Sequence, residues 1–184
     1  MKKVKLPLDD SVIKQLKAGD RVLLEGIVYT ARDAAHKKMQ KKNQNRFSKG
    51  RQLKTQDLPF NIKGQVIYYT GPTPAPPGKV IGSCGPTTSA RMDVYTPALL
   101  KSGLKGMIGK GDRSQEVRRA IKKYGAVYFV AIGGTGALLS KKVKSAKIIA
   151  YKDLGPEAIY KLEIKDFPVV VGIDSRGNSI YKKY

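Results

Sequence analysis

Gly85-Pro86-Thr87-Thr88-Ser89-Ala90-Arg91-Met92-Asp93 is the most informative stretch of this chain. A glycine–proline turn opens onto two threonines, and Arg91 stands one helical turn beyond Thr87. Pro86 suits the first position of a helix, and Thr87 or Thr88 can cap it, which leaves backbone N–H groups pointing outward. If Thr87 begins that turn, its hydroxyl and the Arg91 guanidinium share one face. A hydroxyl, a guanidinium and free N–H groups directed at one spot make a pocket for a carboxylate. An ordinary capped helix with a solvated arginine fits the same spacing, and spacing alone favours it.

Working outward, five other segments carry compact patterns. They are Thr30-Ala31-Arg32-Asp33-Ala34-Ala35-His36, Gly109-Lys110-Gly111-Asp112-Arg113-Ser114, Gly133-Gly134-Thr135-Gly136-Ala137, Leu154-Gly155-Pro156-Glu157-Ala158-Ile159 and Glu163-Ile164-Lys165-Asp166-Phe167-Pro168. With Gly85–Asp93 they resemble, in order, the motifs of the beta subunit, or C-terminal domain, of class I fumarate hydratases and L-tartrate dehydratases. The likeness runs roughly from Gly19 to Gly177.

That resemblance implies an α/β fold, a single layered β/β/α swivelling domain over residues 1–184. It implies reversible hydration of fumarate to L-malate, with L-tartrate dehydration as the alternative, in either case on a dicarboxylate substrate. Thr87 matches the family threonine proposed as catalytic base. Arg91 matches an arginine on a substrate carboxylate, Lys110 the lysine of the KG motif, and Arg32 a further carboxylate-binding arginine. The reaction needs clamps for two carboxylates, a Lewis acid for the leaving hydroxyl and a base for the carbon-bound proton. In the family the Lewis acid belongs to a 4Fe–4S cluster held by three cysteines. Cys84 is the single cysteine, so the cluster is expected on a separate alpha subunit, no metal is expected in this chain, and the assembly is expected to be a hetero-oligomer with dimerised halves.

Read without the resemblance, each of these residues keeps a plainer alternative. Lys110 ends an apolar strand, where its ammonium either projects into a strand-end site or snorkels on the surface. A threonine hydroxyl is a poor base alone, so Thr87 needs a neighbouring base or carboxylate from the partner. His36, the only histidine, lies four residues after Arg32; an orienting or interface role is favoured over general base. Asp33 is expected to cap the same helix or pair with a cation, and Thr88 supports Thr87. Cys84 reads as a small buried residue. Gly133–Gly136 lacks the spacing of a dinucleotide loop and reads as a tight strand-to-helix turn.

The 184 residues are 41% hydrophobic and 27% charged, a globular composition. The longest apolar stretch, Ala126–Leu139, is interrupted by glycines and is too short to span a bilayer. No export signal follows Met1, and with one cysteine a cytoplasmic location is the default expectation. The net charge of +22 raises nucleic-acid binding as a rival function, with Lys37-Lys38-Met39-Gln40-Lys41-Lys42, Arg46, Lys49, Arg51 and Lys54 as its footprint. No RNA- or DNA-binding signature accompanies that charge, so nucleic acid and membrane are not expected partners. A lysine-rich solvated surface or a face for an acidic partner explains it equally.

Periodicity predicts helices over Asp9–Leu16, from Thr30 or Asp33 to Gln40, and over Thr96–Ser102, Ser114–Tyr124 and Thr135–Lys142. Strands are expected at Arg21–Tyr29, Gln65–Thr70, Leu104–Gly109, Ala126–Ile132, Lys147–Tyr151, Ala158–Ile164 and Val169–Ile173. Asn43–Asn61 reads as a loop, and the prolines of Gly71–Gly78 as a stiff connector. Helices and strands alternate in the middle, as in a layered α/β domain.

Overall fold

The computed structural model describes residues 1–49 and 51–181. The elements run β1 (Lys2–Lys5), α1 (Asp10–Gln15), β2 (Arg21–Thr30), α2 (Asp33–Lys42), α3 (Gln44–Phe47), β3 (Val66–Tyr68), α4 (Thr96–Lys101), β4 (Gly106–Gly109), α5 (Gln115–Tyr124), β5 (Val127–Val130), α6 (Gly136–Ser140), β6 (Val143–Ala150) and β7 (Ile159–Ile173). The result is a mixed α/β structure. Among the described residues no helix is long and apolar enough to cross a membrane.

Strands β2, β3, β4 and β5 are parallel neighbours. Strand β7 then returns antiparallel to β5 and also pairs antiparallel with β2, so these five strands close into a ring. β1 adds parallel to the first half of β2, and β6 antiparallel to the first half of β7. Alternation of side chains splits the core in two. Val66, Tyr68, Ile108, Val127 and Phe129 point into the ring, where they meet Leu24, Val28, Leu162, Phe167 and Val171. Ile67, Tyr69, Met107 and Tyr128 point outward and are covered by α2, α4 and α5 through Ala35, Met39, Leu99, Val117 and Ile121.

Local chemistry accounts for the elements. Asp9 caps α1, its carboxylate accepting the Val12 N–H at 2.8 Å. Ser114 caps α5 through the Val117 N–H, and Gly125, in the left-handed region, ends it. The lysine run of α2 is the outer face of an amphipathic helix whose inner face buries Ala35, His36 and Met39.

Several expectations need correction. The polar segment Asn43–Asn61 holds α3 and a short helical turn at Thr55–Asp57; Gly50 within it lies outside the described residues. β1 is three-quarters lysine and offers no apolar run to read. The two strands expected at Ala158–Ile164 and Val169–Ile173 are one strand, which continues through Asp166 at φ 50°. β6 begins at Val143 rather than Lys147.

Candidate functional site

The parallel strands β2 to β5 end on the same side of the ring, the edge where open α/β sheets hold their ligands. The segment Gly85–Asp93 crosses this edge. The Thr70 hydroxyl donates to the Gly85 carbonyl at 2.7 Å, and the Thr87 N–H donates to the Tyr69 carbonyl at 2.7 Å. The Lys110 N–H donates to the Thr87 carbonyl at 3.2 Å, and the Ser89 N–H to the Lys110 carbonyl at 2.9 Å. Thr87 and Thr88 therefore lie extended beside Lys110 instead of starting a helix, and Thr88 forms an isolated parallel bridge with Lys110.

A 3-10 turn begins only at Ser89 and carries Arg91. Its N-terminal neighbour Thr88 makes no side-chain cap, so the expected threonine cap is absent, and the shared helical face of Thr87 and Arg91 goes with it. Pairing with the ends of β3 and β4 takes up the Thr87 and Ser89 N–H groups instead. Gly109 makes this docking possible: a Cβ there would overlap the Ser89 hydroxyl and stand 2.9 Å from the Tyr69 ring.

Two arginines meet one acid beside this segment. Arg91 Nε donates to Asp33 Oδ1 at 2.9 Å, and Arg32 Nε stands 3.9 Å from Asp33 Oδ2. Arg32 Nε and Asp33 Oδ2 are buried and neither has a hydrogen-bond partner among the described residues. Asp33 thus pairs with cations rather than capping α2; the cap position is Arg32, whose side chain makes no cap bond. The Arg91 side chain remains 55% exposed; its Nε is committed to Asp33, and its terminal nitrogens have no partner among the described residues.

Lys110 is exposed, its stem passing Gly133, where a Cβ would sit 3.6 Å from Lys110 Cδ. Neither its ammonium nor the hydroxyl of partly exposed Thr87 has a partner among the described residues. Thr88 is exposed.

His36 is enclosed. Its ring stacks on Tyr95 at 5.5 Å between centroids and meets the edge of Tyr69 at 5.6 Å. Nδ1 lies 2.8 Å from the Arg32 carbonyl, which can only accept, so Nδ1 carries the proton. Nε2 is left as a buried, unpartnered lone pair. Burial lowers the pKa to about 4, so the ring is neutral near pH 7. Walled off and weakly basic, His36 suits the orienting role.

Sequence reasoning quoted Asp93 and Arg113 without giving either a role. Arg113 is fully buried; its Nε donates to Asp93 Oδ1 at 2.6 Å and Nη2 to Thr96 Oγ1 at 2.7 Å. The guanidinium also faces the Tyr69 and Tyr128 rings at 5.3 and 5.0 Å. The Tyr128 hydroxyl donates to the Gly111 carbonyl at 2.7 Å and lies 2.9 Å from Ser89 Oγ. An unpaired charge this deep is costly, and that was the signal available: an arginine and an aspartate in two segments that both flank the site.

Cys84 is buried, and burial pushes its thiol up to about 11, the opposite of a metal-ligating thiolate. No group of three or more His, Cys, Asp or Glu side chains able to hold a metal occurs among the described residues. The donor set here does not fit an iron–sulfur cluster.

A family model described as the fumarase C-terminus matches residues 1–184. This chain belongs to the fumarase C-terminus family. It is 38% identical to Fumarate hydratase 2 of Leishmania major, an alignment that covers 98% of this chain and 31% of that protein. It is 38% identical to the aerobic class I fumarate hydratase of Escherichia coli K12, over 93% of this chain and 30% of the relative. A protein provisionally named L(+)-tartrate dehydratase subunit beta, from Methanocaldococcus jannaschii, is 40% identical, over 93% of this chain and 86% of its own length. The fumarase C-terminus chain thus spans about a third of the fumarate hydratases and most of the tartrate dehydratase subunit.

Proposed function

We propose that this chain is the beta subunit of a class I fumarate hydratase. It supplies the carboxylate clamp and the proton-handling threonine to an active site completed by a cluster-bearing alpha subunit, and the complex interconverts fumarate and L-malate. The observation that carries this reading is the convergence at one strand-end edge of Arg32, Arg91 and Asp33 beside a Thr87 hydroxyl and a Lys110 ammonium that have no partner among the described residues. A dicarboxylate needs a cation at each end; Arg91 is carried by the Gly85–Asp93 segment and Lys110 pairs alongside it.

Arg91, held through Nε by Asp33, presents its terminal nitrogens to one carboxylate, with Arg32 beside it. Lys110 takes the other. Thr87 handles the carbon-bound proton as a relay: its oxygen accepts that proton as its own passes to a base. No base or carboxylate contacts its hydroxyl among the described residues, so the base belongs to the alpha subunit. The 4Fe–4S Lewis acid of this reaction class belongs there too, since one buried thiol cannot hold it. His36 and Asp33 support the clamp, and Thr88 holds Thr87 against Lys110.

The single swivelling domain is part of the proposal. One apolar cluster lies between the strands inside the ring and a second lies under the helices, which supports a strand–strand–helix layering. We place the complex in the cytoplasm, in line with the single cysteine. L-tartrate dehydration is the second reading, favoured by the subunit-length relative.

Anaerobic mixing with the alpha subunit, followed by assays on fumarate, L-malate and L-tartrate, tests the proposal. Turnover only in the mixture supports it, and the preferred substrate decides between the two readings. Fumarate hydration by this chain alone, without iron, overturns it.

A further inference from the structure

The turn Leu154-Gly155-Pro156-Glu157 has no part in the roles above, yet it reaches the clamp. Glu157 Oε2 accepts the Ala34 N–H in the first turn of α2 at 2.7 Å. Its other oxygen, Oε1, stands 3.7 Å from Arg32 Nη2. The single Ala34 N–H occupies only one of the two carboxylate oxygens. The second oxygen faces a guanidinium that is itself closely confined. Gly71 lies against it so tightly that a Cβ there would sit 3.0 Å from Arg32 Cδ, 3.1 Å from Nη1 and 3.2 Å from the Pro156 carbonyl.

Arg32 therefore has Asp33 beside Nε, Glu157 beside Nη2 and the Gly71 backbone beside Nη1. At 3.9 and 3.7 Å both carboxylates are beyond hydrogen-bonding range, so they fix the guanidinium by charge without consuming its donors. Glu157 is itself anchored independently of Arg32. The Thr30 hydroxyl donates to the Ala158 carbonyl and accepts the Tyr160 N–H at 2.9 Å, while Lys38 pairs with Asp153 at 2.7 Å.

We infer that Glu157 is a positioning residue: it sets the Arg32 guanidinium at the strand-end edge with its terminal donors left uncommitted for a substrate carboxylate. This rests on the dicarboxylate hydro-lyase reading. It also explains why a turn far along the chain belongs to the site.

The test uses the reconstituted complex. Glu157→Gln keeps a carbonyl oxygen for the Ala34 N–H but removes the charge facing Arg32. We expect the substrate KM and the inhibition constant of succinate to rise roughly 3- to 30-fold, with kcat within about twofold. In an Arg32→Ala background the same change is expected to add less than about twofold, because Glu157 acts through Arg32. KM and the inhibition constant do not depend on the fraction of enzyme folded, so lost stability cannot mimic or mask their change. Unchanged constants, or an equal change in both backgrounds, overturn the inference and leave Glu157 as a helix cap. A wild-type complex inactive on fumarate, L-malate and L-tartrate overturns the functional reading, and this role with it.

Discussion

Asp93 binds both the guanidinium of Arg113 and the backbone of Ser114: Arg113 Nε donates to Oδ1 and the Ser114 N–H to Oδ2, each at 2.6 Å. This joins the turn that carries Arg91 to the loop that follows Lys110. The two flanks of the candidate clamp are thereby held at a fixed separation by an ion pair in which Arg113 has no solvent exposure.

Asp93→Ala should therefore be among the most damaging substitutions in the chain. It leaves a buried guanidinium without its counter-charge, at a cost of about 3–5 kcal/mol. Urea unfolding of the two proteins measures this directly. A loss below about 1 kcal/mol would mean that Thr96 and the flanking rings suffice to hold Arg113.

Thr87→Val separates chemistry from structure. The Thr87 hydroxyl has no partner among the described residues and caps no helix, so the melting temperature should stay near that of the wild type. If the hydroxyl relays the proton, kcat in the reconstituted complex should fall about 10²–10⁴-fold, with a much smaller change in KM. A near-normal kcat removes Thr87 from the chemistry.

Replacing Arg91 or Lys110 with alanine should each lower kcat/KM by a factor corresponding to about 1.5–3 kcal/mol, the usual worth of a charge-assisted contact. Arg91→Lys should rescue little, because an ammonium cannot contact Asp33 through one edge and a carboxylate through the other. Steady-state kinetics on the three variants decide it. Wild-type values for both alanine variants would contradict the clamp.

His36 makes stability depend on pH in a definite direction. Its folded pKa, near 4, lies below the ordinary value of 6.5, so the unfolded chain takes up the proton first as pH falls. Stability is intact above about pH 6.5 and declines as pH drops towards 4, by about 3 kcal/mol in all. Between pH 7 and 4.5 the wild type should lose about 2–3 kcal/mol more than His36→Gln. Equal losses would show that the buried ring is not the group responsible.

What the sequence disclosed, and what it hid, follows the range of the interactions. Helix α5 was legible because Ser114 and Gly125 mark its ends within one short window. Cys84 was legible because a lone cysteine is usually buried. β7 was not, since Asp166 in the left-handed region followed by Pro168 reads as a break, although pairing with β2 carries the strand through. The geometry around Thr87 misled for a related reason. A four-residue spacing describes a helix, but the ends of β3 and β4 pull this segment into an extended path. Asp33 and Arg91 are 58 positions apart, so their ion pair leaves no local trace. Glu157 was visible only as part of a motif whose purpose lay across the chain.

The closed ring has a consequence for behaviour in a crowded solution. A strand paired on both sides offers no free backbone to another molecule, and among the described residues the outermost strands of the sheet are β1 and β6. Three of the four residues of β1 are lysines. β6 carries Lys144 and Lys147, follows directly on Lys141 and Lys142, and sets Lys147 opposite Lys161 of β7. A second copy that tried to extend the sheet at either edge would bring lysine against lysine. Part of the +22 charge thus lies where it keeps the chain from templating its own aggregation.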